Sequence, residues 1–330
     1  MSLFVHLITY NGAKYIPYLF DSLRAQTFRD WELLVIDNAS TDDTVAAVQK
    51  ELLNFPVPAR IIVNQLNNGF AGGHNQAYTQ THSEFFLILN QDTFLESDCL
   101  EKLTNFMQAN TKAATVAPRV MRWNFPEMQG STLVDSLGFK VFRNRRVFDT
   151  VNQPIIQSTN NLNVFGVSGA VALVRRAAVE SYGYLFDEEL VSYKEDVDLA
   201  FRLQSAGWQA YVVTEAVAYH DRTGNGADRA GDTAAADNKL KQNEYVRYHS
   251  YKNHLATLYK NENWQNFALD FPWIIWYELK KFVWFLLFDR SVLRGLGELW
   301  RMRRELKIKR KQNLELRKIS WKEMRKWWRV

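Results

Sequence analysis

The sequence predicts an α/β fold, in which a mostly parallel sheet is flanked by helices and followed by a helical C-terminal extension. From Phe4 to Leu89, short apolar runs alternate with helix-like stretches, which is typical of parallel strands covered on both faces. The chain has 330 residues, of which 47% are hydrophobic, so it can bury a large core. Beyond Trp264 the composition shifts to aromatic and basic residues.

Four apolar runs are the predicted strands of the first half, namely FVHLIT, WELLVID, RIIVN and FFLIL. The stretches between them predict helices around Ile16 to Ala25, from Thr41 to Leu53 and around Asn75 to Thr81. Ser40 is followed three residues later by Asp43, a short-acid variant of the capping box, and should begin the second helix.

After Pro118 the regular alternation ends. Residues 120–163 are rich in Arg, Asn and aromatic residues without a clean period, which indicates loops and short strands over one end of the sheet. Regularity returns with FGVSGAVALVRR, a helix from about Val197 to Ala206 that Gly207 closes, and the strand QAYVVT. Residues 224–237 are small and polar, so we expect a mobile loop there.

The stretch from Trp264 to Phe288 is dense in aromatic residues but is interrupted by charges. Its longest uncharged runs are seven residues, whereas a transmembrane helix needs about 20 mainly apolar residues. An amphipathic helix is predicted, because Glu278 and Lys281 are displaced from a helically spaced apolar stripe. That stripe consists of Ile275, Leu279, Phe282 and Leu286. We expect residues 1–260 to form the main domain and residues 261–330 a Trp-rich, basic helical extension.

The positive charge is concentrated at the C-terminus. Arg301 to Val330 holds 13 Lys or Arg against three Glu, which gives this tail a net charge of +10. Because the whole chain has a net charge of +5, the first 300 residues carry −5. Ser320 and Glu323 form a capping box that begins a short helix. Its apolar face carries Trp321, Met324 and Trp328. Tryptophan beside basic residues suits an anionic membrane surface, and the alternative is a helix packed on the main domain with a solvated tail.

The expected location is the cytoplasm. The single cysteine, Cys99, excludes an internal disulfide. The start MSLFVHLITY lacks a basic region followed by an apolar core and a cleavage site, so nothing in it suggests secretion. Peripheral contact of the tail with anionic lipid would put the protein on the inner face of the plasma membrane.

Polar clusters follow each of the first four strands, where ligands bind in open parallel sheets. Taken singly, each cluster can be a helix cap or a tight turn. Together they offer carboxylates and amides for a base and a ribose, backbone donors for phosphate and a carboxylate for a metal. The clusters are Thr9 to Gly12, Asp37 to Asp42, Asn67 to Asn75 and Asn90 to Asp92.

These clusters, in this order, resemble the inverting glycosyltransferases of family two, which have the GT-A fold, and especially the bacterial rhamnosyltransferase-like members. The matching segments run from Leu3 to His220. They are TYNG, VIDNASTD, NNGFAGGHN, LNQDT, VSGAVALVRR and FDEELVSYKEDVDLAFRLQSAGW, followed by His220. Each segment is weak alone, and the combination is specific.

The resemblance implies a site for an activated nucleotide sugar. The residues that would hold the base and the ribose are Thr9, Tyr10, Asn11 and Asp37. Asn38 and Ser40 would shape this pocket. The backbone from Gly69 through Gly72 to Asn75 would approach the donor.

The resemblance also implies a divalent metal, Mg²⁺ or Mn²⁺, at the diphosphate. Asn90, Gln91 and Asp92 occupy the position of the family's Asp-X-Asp-like motif, which contacts ribose and metal. Asn90 is neutral, so Asp92 is the only carboxylate of this motif. His220 occupies the position of a further metal ligand, although a lone His after a strand is more often a surface or core residue.

The segment from Tyr193 to Asp198 carries the catalytic hypothesis. Displacing a nucleoside diphosphate in one in-line step inverts the anomeric carbon and needs a base on the opposite face. The resemblance implies that Asp196 is this base, with Glu195 orienting the acceptor or the base. The alternative is a pair of acids that only stabilise a helix N-terminus. In the family that the sequence resembles, basic groups further along can meet the diphosphate, which makes Lys252 and Arg247 candidates; the alternative for each is a solvated face.

The leading hypothesis is a metal-dependent inverting glycosyltransferase of cell-surface polysaccharide biosynthesis. It would move a sugar, with rhamnose favoured, from a dTDP- or UDP-sugar to a hydroxyl of a glycan or lipid-linked glycan. Residues 120–163 are expected to face the acceptor. The alternatives are a nucleotide-binding scaffold without catalysis and a nucleic-acid-binding protein that uses the basic tail. The −5 charge of the first 300 residues argues against a nucleic-acid partner.

Overall fold

The described strands form a ten-stranded sheet and a small three-stranded sheet. The computed structural model describes residues 3–125, 127, 129–150, 161–221 and 242–329. The first half alternates as predicted, with β1 (Leu3–Thr9), α1 (Ile16–Arg24), β2 (Trp31–Asp37), α2 (Thr44–Leu52), β3 (Ala59–Val63), α3 (Gly69–Thr79) and β4 (Phe85–Asn90). The predicted α/β class with a mostly parallel central sheet is confirmed.

The middle of the chain completes the large sheet. Its elements are β5 (Thr93–Leu95), α4 (Cys99–Ala109), β6 (Ala113–Asn124), β7 (Gln129–Ser136), β8 (Phe139–Phe142), β9 (Val147–Asp149), β10 (Leu162–Val164), β11 (Val171–Arg175), α5 (Arg176–Glu180), α6 (Glu195–Ser205) and β12 (Gln209–His220). Strands β8 and β9 belong to the small sheet. Residues 120–163 therefore include the predicted short strands, while residues 151–160 and the expected loop at 224–237 lie outside the described part of the chain.

The topology brings the polar clusters to one edge of the large sheet. Strands β3, β2, β1 and β4 are adjacent and parallel, so that Thr9 pairs with Asp37 and Ile8 with Asn90. Strand β11 is antiparallel between β4 and β6. Strand β12 runs parallel to β6, and its pairing with β5 aligns His220 with Thr93. We call the edge where β1, β2 and β4 end the carboxyl edge.

The core lies on both faces of this sheet. Strands β1, β2 and β4 are almost entirely buried, as central strands of a doubly covered sheet must be. Helix α1 packs on one face through apolar side chains spaced three and four residues apart. They are Ile16, Leu19, Phe20 and Leu23.

Two helix starts differ from the prediction. The predicted capping of the second helix by Ser40 is wrong, since α2 begins at Thr44 and the Ser40 hydroxyl donates to Asp37 instead. Helix α3 begins at Gly69, so it includes the glycine-rich segment that precedes Asn75. Glycine disfavours helix in isolation, but here tertiary contacts of the first turn override that preference, as Ala71 N donates to Val191 O at 3.1 Å.

The C-terminal part is helical. It contains α7 (Glu244–Asn261), α8 (Trp264–Phe288), α9 (Arg294–Arg301), α10 (Arg303–Glu315) and α11 (Trp321–Met324), and ends in the short strand β13 (Trp328–Arg329), which pairs with β8. The predicted capping box of Ser320 and Glu323 is confirmed, with both of its hydrogen bonds formed. Met324 and Trp328 are buried beside Phe165 and Phe201, so this end of the chain packs on the main domain.

Helix α8 exposes apolar side chains and buries charged ones, which is the reverse of an ordinary surface helix. Its predicted apolar stripe, represented by Leu279 and Phe282, is exposed, whereas Asp270 and Lys281 are buried against the protein. The inward Asp270 carboxylate pairs with Arg145 at 3.0 Å, among other partners. Within the described part of the chain, no helix is long and apolar enough to cross a membrane.

The packing of the C-terminus predicts a stability effect. Trp328 is 8% exposed and lies under the Arg145 guanidinium, 4.4 Å from its ring centre. Trp328→Ala should lower the free energy of unfolding by about 3 kcal/mol, because it leaves a large cavity. Urea denaturation measures this change.

The matched control is Trp264→Ala, since Trp264 is 71% exposed. It should change the free energy of unfolding by less than about 0.5 kcal/mol, as surface substitutions usually do. Equal effects of the two substitutions would contradict the packing of the C-terminus.

Candidate functional site

The Asp37 carboxylate organises the first pocket of the carboxyl edge. It is buried and accepts hydrogen bonds from the Thr9 hydroxyl at 2.8 Å and from the Ser40 hydroxyl at 2.6 Å. Ser40 Oγ in turn accepts from Asn11 N at 3.0 Å. Asn11 and Ala39 have positive φ angles of 46° and 62°, and non-glycine residues held in this region cluster at functional sites.

Gln91 ties the ends of β1 and β4 together. Its amide accepts from Tyr10 N and donates to Tyr10 O, both at 2.9 Å. A Cβ atom on Gly12 would lie 2.2 Å from Gln91 Oε1, so the glycine makes room for this side chain. Gln91 thus fixes the backbone that presents the exposed Tyr10 ring.

The glycine-rich start of α3 packs against two other parts of the edge. Gly69 has a φ of +71°, and a Cβ atom there would lie 2.8 Å from Val191 O. Gly69 O accepts from the Asn38 amide at 2.9 Å. A Cβ atom on Gly72 would lie 2.9 Å from Cβ of Asn68. The glycines therefore allow close contacts of the backbone, here between segments of the protein itself.

Asn75 lies one helical turn further along α3 and is buried. Its amide donates to Phe186 O at 2.8 Å and accepts from Phe186 N at 2.8 Å. The side chain thereby joins α3 to the segment that leads into residues 188–190. The Asn75 amide thus uses both its NH₂ group and its oxygen to bind the Phe186 backbone.

Asp92, His220 and Asp135 form a polar cluster beside Gln91. His220 Nε2 lies 3.4 Å from Asp92 Oδ1, and His220 Nδ1 lies 2.9 Å from Asp135 Oδ2. Burial lowers the pKa of His220, but the charge of Asp92 and hydrogen bonds with Asp135 and Asp92 outweigh it and raise the pKa to about 10. In the described part of the chain, no group of three or more His, Cys, Asp or Glu has the arrangement of a complete metal site.

The donor set of Asp92 and His220 fits part of a divalent cation site. Carboxylate oxygen and imidazole nitrogen are both ligands of Mn²⁺, and oxygen ligands suit Mg²⁺. The bond of Asp135 to Nδ1 leaves Nε2 directed at Asp92, which is the orientation that a carboxylate partner imposes on a metal-binding histidine. The remaining ligands would have to come from a bound diphosphate and water.

Asp196 lies in the first turn of α6 and is partly exposed. Its carboxylate accepts from Gly169 N at 3.3 Å and from Val197 N at 2.7 Å. Burial raises the pKa of Asp196 above its ordinary value, although Lys194 and the backbone NH groups oppose this effect. Asp196 also lines a small, mainly apolar cavity together with Ile88, Val167 and Phe186.

Glu195 is more deeply buried than Asp196. Burial and the neighbouring Asp196 raise the pKa of Glu195 well above the ordinary value. Among the described residues, its Oε2 atom finds no hydrogen-bond partner. A buried carboxyl oxygen without a partner is costly in a folded protein and is often associated with a functional role.

The segment before α6 is held in an unusual conformation. Val191, Tyr193 and Lys194 have φ angles of 60°, 69° and 73°. The Asn253 amide of α7 donates to three carbonyl groups of this region, namely Leu190, Ser192 and Tyr193, at 2.7, 2.9 and 2.7 Å. Asn253 therefore stabilises the backbone that leads directly to Glu195 and Asp196.

The pockets form one continuous edge. Thr9 contacts Asp37, and the next residue, Tyr10, is bonded to Gln91. Asn90 N donates to Ala170 O at 2.9 Å, and the preceding Gly169 contacts Asp196. Adjacent residues thus link the Asp37 pocket, the Asp92 cluster and α6.

Lys252 and Arg247, the predicted diphosphate partners, are engaged elsewhere. Lys252 is fully buried and its Nζ contacts Glu298 at 2.7 Å. Arg247 pairs with Asp289 at 2.6 Å. The first pair joins α7 to α9, and the second joins α7 to the residue that directly follows α8.

Sequence reasoning missed Asp135 and Asn253. Asp135 lies in β7 and meets His220 only through the pairing of β7 and β12 with β6. Asn253 lies in the middle of α7 and is fully buried. The sequence gives no sign that this Asn is buried, and the carbonyl groups that it meets are about 60 residues away in the chain.

Comparisons with known proteins place these features in a family. The model described as Glycosyl transferase family 2 matches residues 4–183. The N-acetylglucosaminyl-diphospho-decaprenol L-rhamnosyltransferase of Mycobacterium tuberculosis is 26% identical over 247 residues, which cover 69% of this chain and 79% of that protein.

Two solved structures have a similar fold. S. aureus TarS 1-349 in complex with UDP-GlcNAc has a TM-score of 0.57 at 16% identity, covering 96% of this chain and 89% of that one. The mannosyltransferase PcManGT from Pyrobaculum calidifontis, in complex with GDP-Man and Mn²⁺, has a TM-score of 0.52 at 16% identity, covering 95% and 84%. At these identities the likeness shows the shared GT-A fold.

The bonds of Gln91 predict an effect on ligand binding. Gln91→Ala removes two hydrogen bonds that hold the Tyr10 backbone, each worth about 1 kcal/mol. Affinity for UDP or dTDP should therefore fall about tenfold or more, as measured by titration calorimetry.

The control for this prediction is Gln108→Ala, an exposed glutamine on α4. It should leave nucleotide affinity unchanged. Nucleotide binding by Gln91→Ala at the wild-type level would show that the Tyr10 segment does not contribute to the pocket.

Proposed function

The chain belongs to glycosyl transferase family 2, and on that premise we propose that this glycosyltransferase is metal-dependent and inverting. It would move a sugar from a nucleotide donor to a hydroxyl group of a glycan or lipid-linked glycan. The observation that carries the proposal is the continuous carboxyl edge, on which adjacent residues join the Asp37 pocket, Asp92 and Asp196. Donor recognition, charge stabilisation and base catalysis each have a group there.

The Asp37 pocket is the proposed site of the base and ribose. Asp37 orders Ser40 and Thr9, and Ser40 fixes the backbone of Asn11. The exposed Tyr10 ring provides an apolar surface beside these polar groups, which suits a nucleobase. We propose dTDP- and UDP-sugars as the donor class, with a rhamnosyl donor as the first candidate, because the M. tuberculosis relative is named as an L-rhamnosyltransferase.

Asp196 is the proposed general base. In an in-line displacement, the acceptor hydroxyl loses its proton while the nucleoside diphosphate leaves from the opposite face of the anomeric carbon. The partial exposure and raised pKa of Asp196 support this role, since a carboxylate with a higher pKa is a stronger base. Glu195, buried behind it, would orient Asp196 or the acceptor.

Asp92 and His220 are the proposed metal-binding residues, with Mg²⁺ or Mn²⁺ as the ion. A cation there would neutralise the charge that develops on the leaving diphosphate. His220 would bind through Nε2 after losing its proton, while Asp135 holds Nδ1. With only Asp92 as a carboxylate, we propose that the donor diphosphate supplies the remaining affinity.

The proposed acceptor is a glycan or lipid-linked glycan used in cell-surface polysaccharide synthesis, reached at the cytoplasmic face of the membrane. The described part of residues 120–150 includes the end of β6 and all of β7, which pairs with β6 beside β12, the strand that ends at His220. This position supports an acceptor surface close to the metal-binding residues. Screening nucleotide sugars for thermal stabilisation with MnCl₂ tests the donor class, and transfer of label to lipid extracts tests the acceptor class.

The base assignment predicts a specific loss of turnover. Asp196→Asn keeps the size of the side chain and one of its two acceptor oxygens, but it cannot accept the proton of the acceptor hydroxyl. The turnover number should fall about 10²- to 10⁴-fold, while UDP affinity stays unchanged. In the wild type, the rate should fall as the pH drops towards the raised pKa of Asp196, because the base becomes protonated.

Asp98→Asn is the matched control, because Asp98 is also an acid at a helix start but lies before α4, where it pairs with Lys102. It should retain wild-type turnover. If Asp196→Asn remained fully active, the acids of α6 would serve only the helix N-terminus.

The contact between Asp135 and His220 predicts an effect on metal affinity. Asp135→Asn removes the charge that orients and polarises the imidazole, so the apparent affinity for Mn²⁺ in the presence of UDP should fall about 10- to 100-fold. Electron paramagnetic resonance of free Mn²⁺ measures this affinity without an activity assay. EDTA should abolish transfer by the wild type, and full activity in its presence would refute the metal role.

A further inference from the structure

We propose that the exposed apolar face of α8 docks this enzyme on an anionic lipid bilayer. This inference deepens the proposed function, because it identifies the surface that would bring the site to a lipid-linked acceptor. Of the 25 large hydrophobic side chains exposed in the described part of the chain, 13 lie on α8. They include Trp264, Phe271, Trp276, Leu279, Leu287 and Phe288, which represent what we call the docking face.

The docking face is too large and too apolar for a surface that simply contacts water. Trp276 is 62% exposed and Leu279 is 48% exposed. The exposed Trp273 lies about one helical turn before Trp276, and the exposed Phe282 lies about one turn after Leu279. Soluble monomers rarely expose contiguous apolar patches of more than a few hundred Å². A 25-residue helix is about 37 Å long, so the docking face forms an extended strip that needs a partner.

The inward side of α8 fixes the orientation of the docking face. Asp270 is fully buried and bonded to Arg143, Arg145 and Arg325 at 2.9 to 3.0 Å. Glu278 is bonded to His254 at 2.8 Å. Rotating α8 to bury its apolar side would separate these charges, which is strongly unfavourable in a protein interior.

The charges around the docking face favour an anionic bilayer. Both carboxylates of α8 face the protein, whereas Lys280 lies 5.8 Å from the Trp276 ring on the outer side. Arg290 and Arg294, which follow the end of the helix, are exposed. Aromatic and aliphatic residues flanked by basic side chains are typical of helices that lie in the interface of anionic membranes.

A second copy of the chain fits this face less well than a bilayer. Pairing two docking faces would bring the exposed basic residues of both copies together, among them Arg290 and Arg294. Like charges at the border of an interface oppose association. The same residues attract acidic lipid headgroups.

Vesicle co-sedimentation tests the proposal. The full chain should sediment with vesicles of phosphatidylcholine and phosphatidylglycerol, and less with phosphatidylcholine alone. Trp276→Glu and Leu279→Glu should each reduce binding about tenfold or more, because each places a carboxylate in the buried interface. Leu53→Glu, at an exposed site that follows α2 (70% exposed), is the matched control and should bind as the wild type does.

The outcomes separate docking from the proposed function. Vesicle binding that is lost in both α8 variants but kept in Leu53→Glu supports docking, provided that all variants still bind UDP. Equal sedimentation of all variants, or no sedimentation of the wild type, would overturn it. A wild-type dimer that Trp276→Glu dissociates would also overturn it and assign the face to a second copy. Failure of the wild type to bind any nucleotide would instead count against the proposed function.

Discussion

The position of the proposed catalytic helix depends on a buried cluster of charges. Lys260 of α7 is bonded to Asp187 and, at 2.8 Å, to Asp198 of α6, and Lys309 of α10 is bonded to the other oxygen of Asp187. Arg202 pairs with Asp198 at 3.0 Å. Removing one partner from such a buried pair typically costs about 3 to 5 kcal/mol. Helices α7 and α10 therefore stabilise the position of α6 through these buried ion pairs.

Two acids on the same helix acquire different properties from their surroundings. Asp198 is fully buried and compensated by Lys260 and Arg202. Asp196, two residues earlier, is partly exposed, and burial raises its pKa despite Lys194 nearby. The same helix thus carries an ion-paired structural acid, Asp198, and the proposed base, Asp196.

The sequence predicted the features that depend on local pattern. Strand alternation gave the parallel half of the sheet and placed polar clusters at its carboxyl edge, and the capping box at Ser320 formed as expected. Contacts between residues that are distant in the chain could not be predicted from local sequence patterns. Asp135 meets His220 because their strands both pair with β6. The exposure of the apolar face of α8 depends on the pairing of Asp270 with Arg143 and Arg145, which lie about 125 residues earlier in the chain. Ser40 is not the cap because α2 begins only at Thr44, and the Ser40 oxygen accepts from Asn11 N instead of from the helix.

Helix α7 lies between α8, which carries the docking face, and the proposed catalytic site. His254 contacts Glu278 on the inner side of α8 at 2.8 Å, and burial lowers the pKa of His254 to about 4. The preceding residue, Asn253, holds the carbonyl groups of Leu190, Ser192 and Tyr193. Two adjacent residues of α7 therefore make different contacts: His254 meets the inner side of α8, and Asn253 holds the segment that leads to Asp196. The pairing of Asp270 with its arginines determines which face of α8 is exposed, whereas Asn253 fixes the backbone before the proposed base.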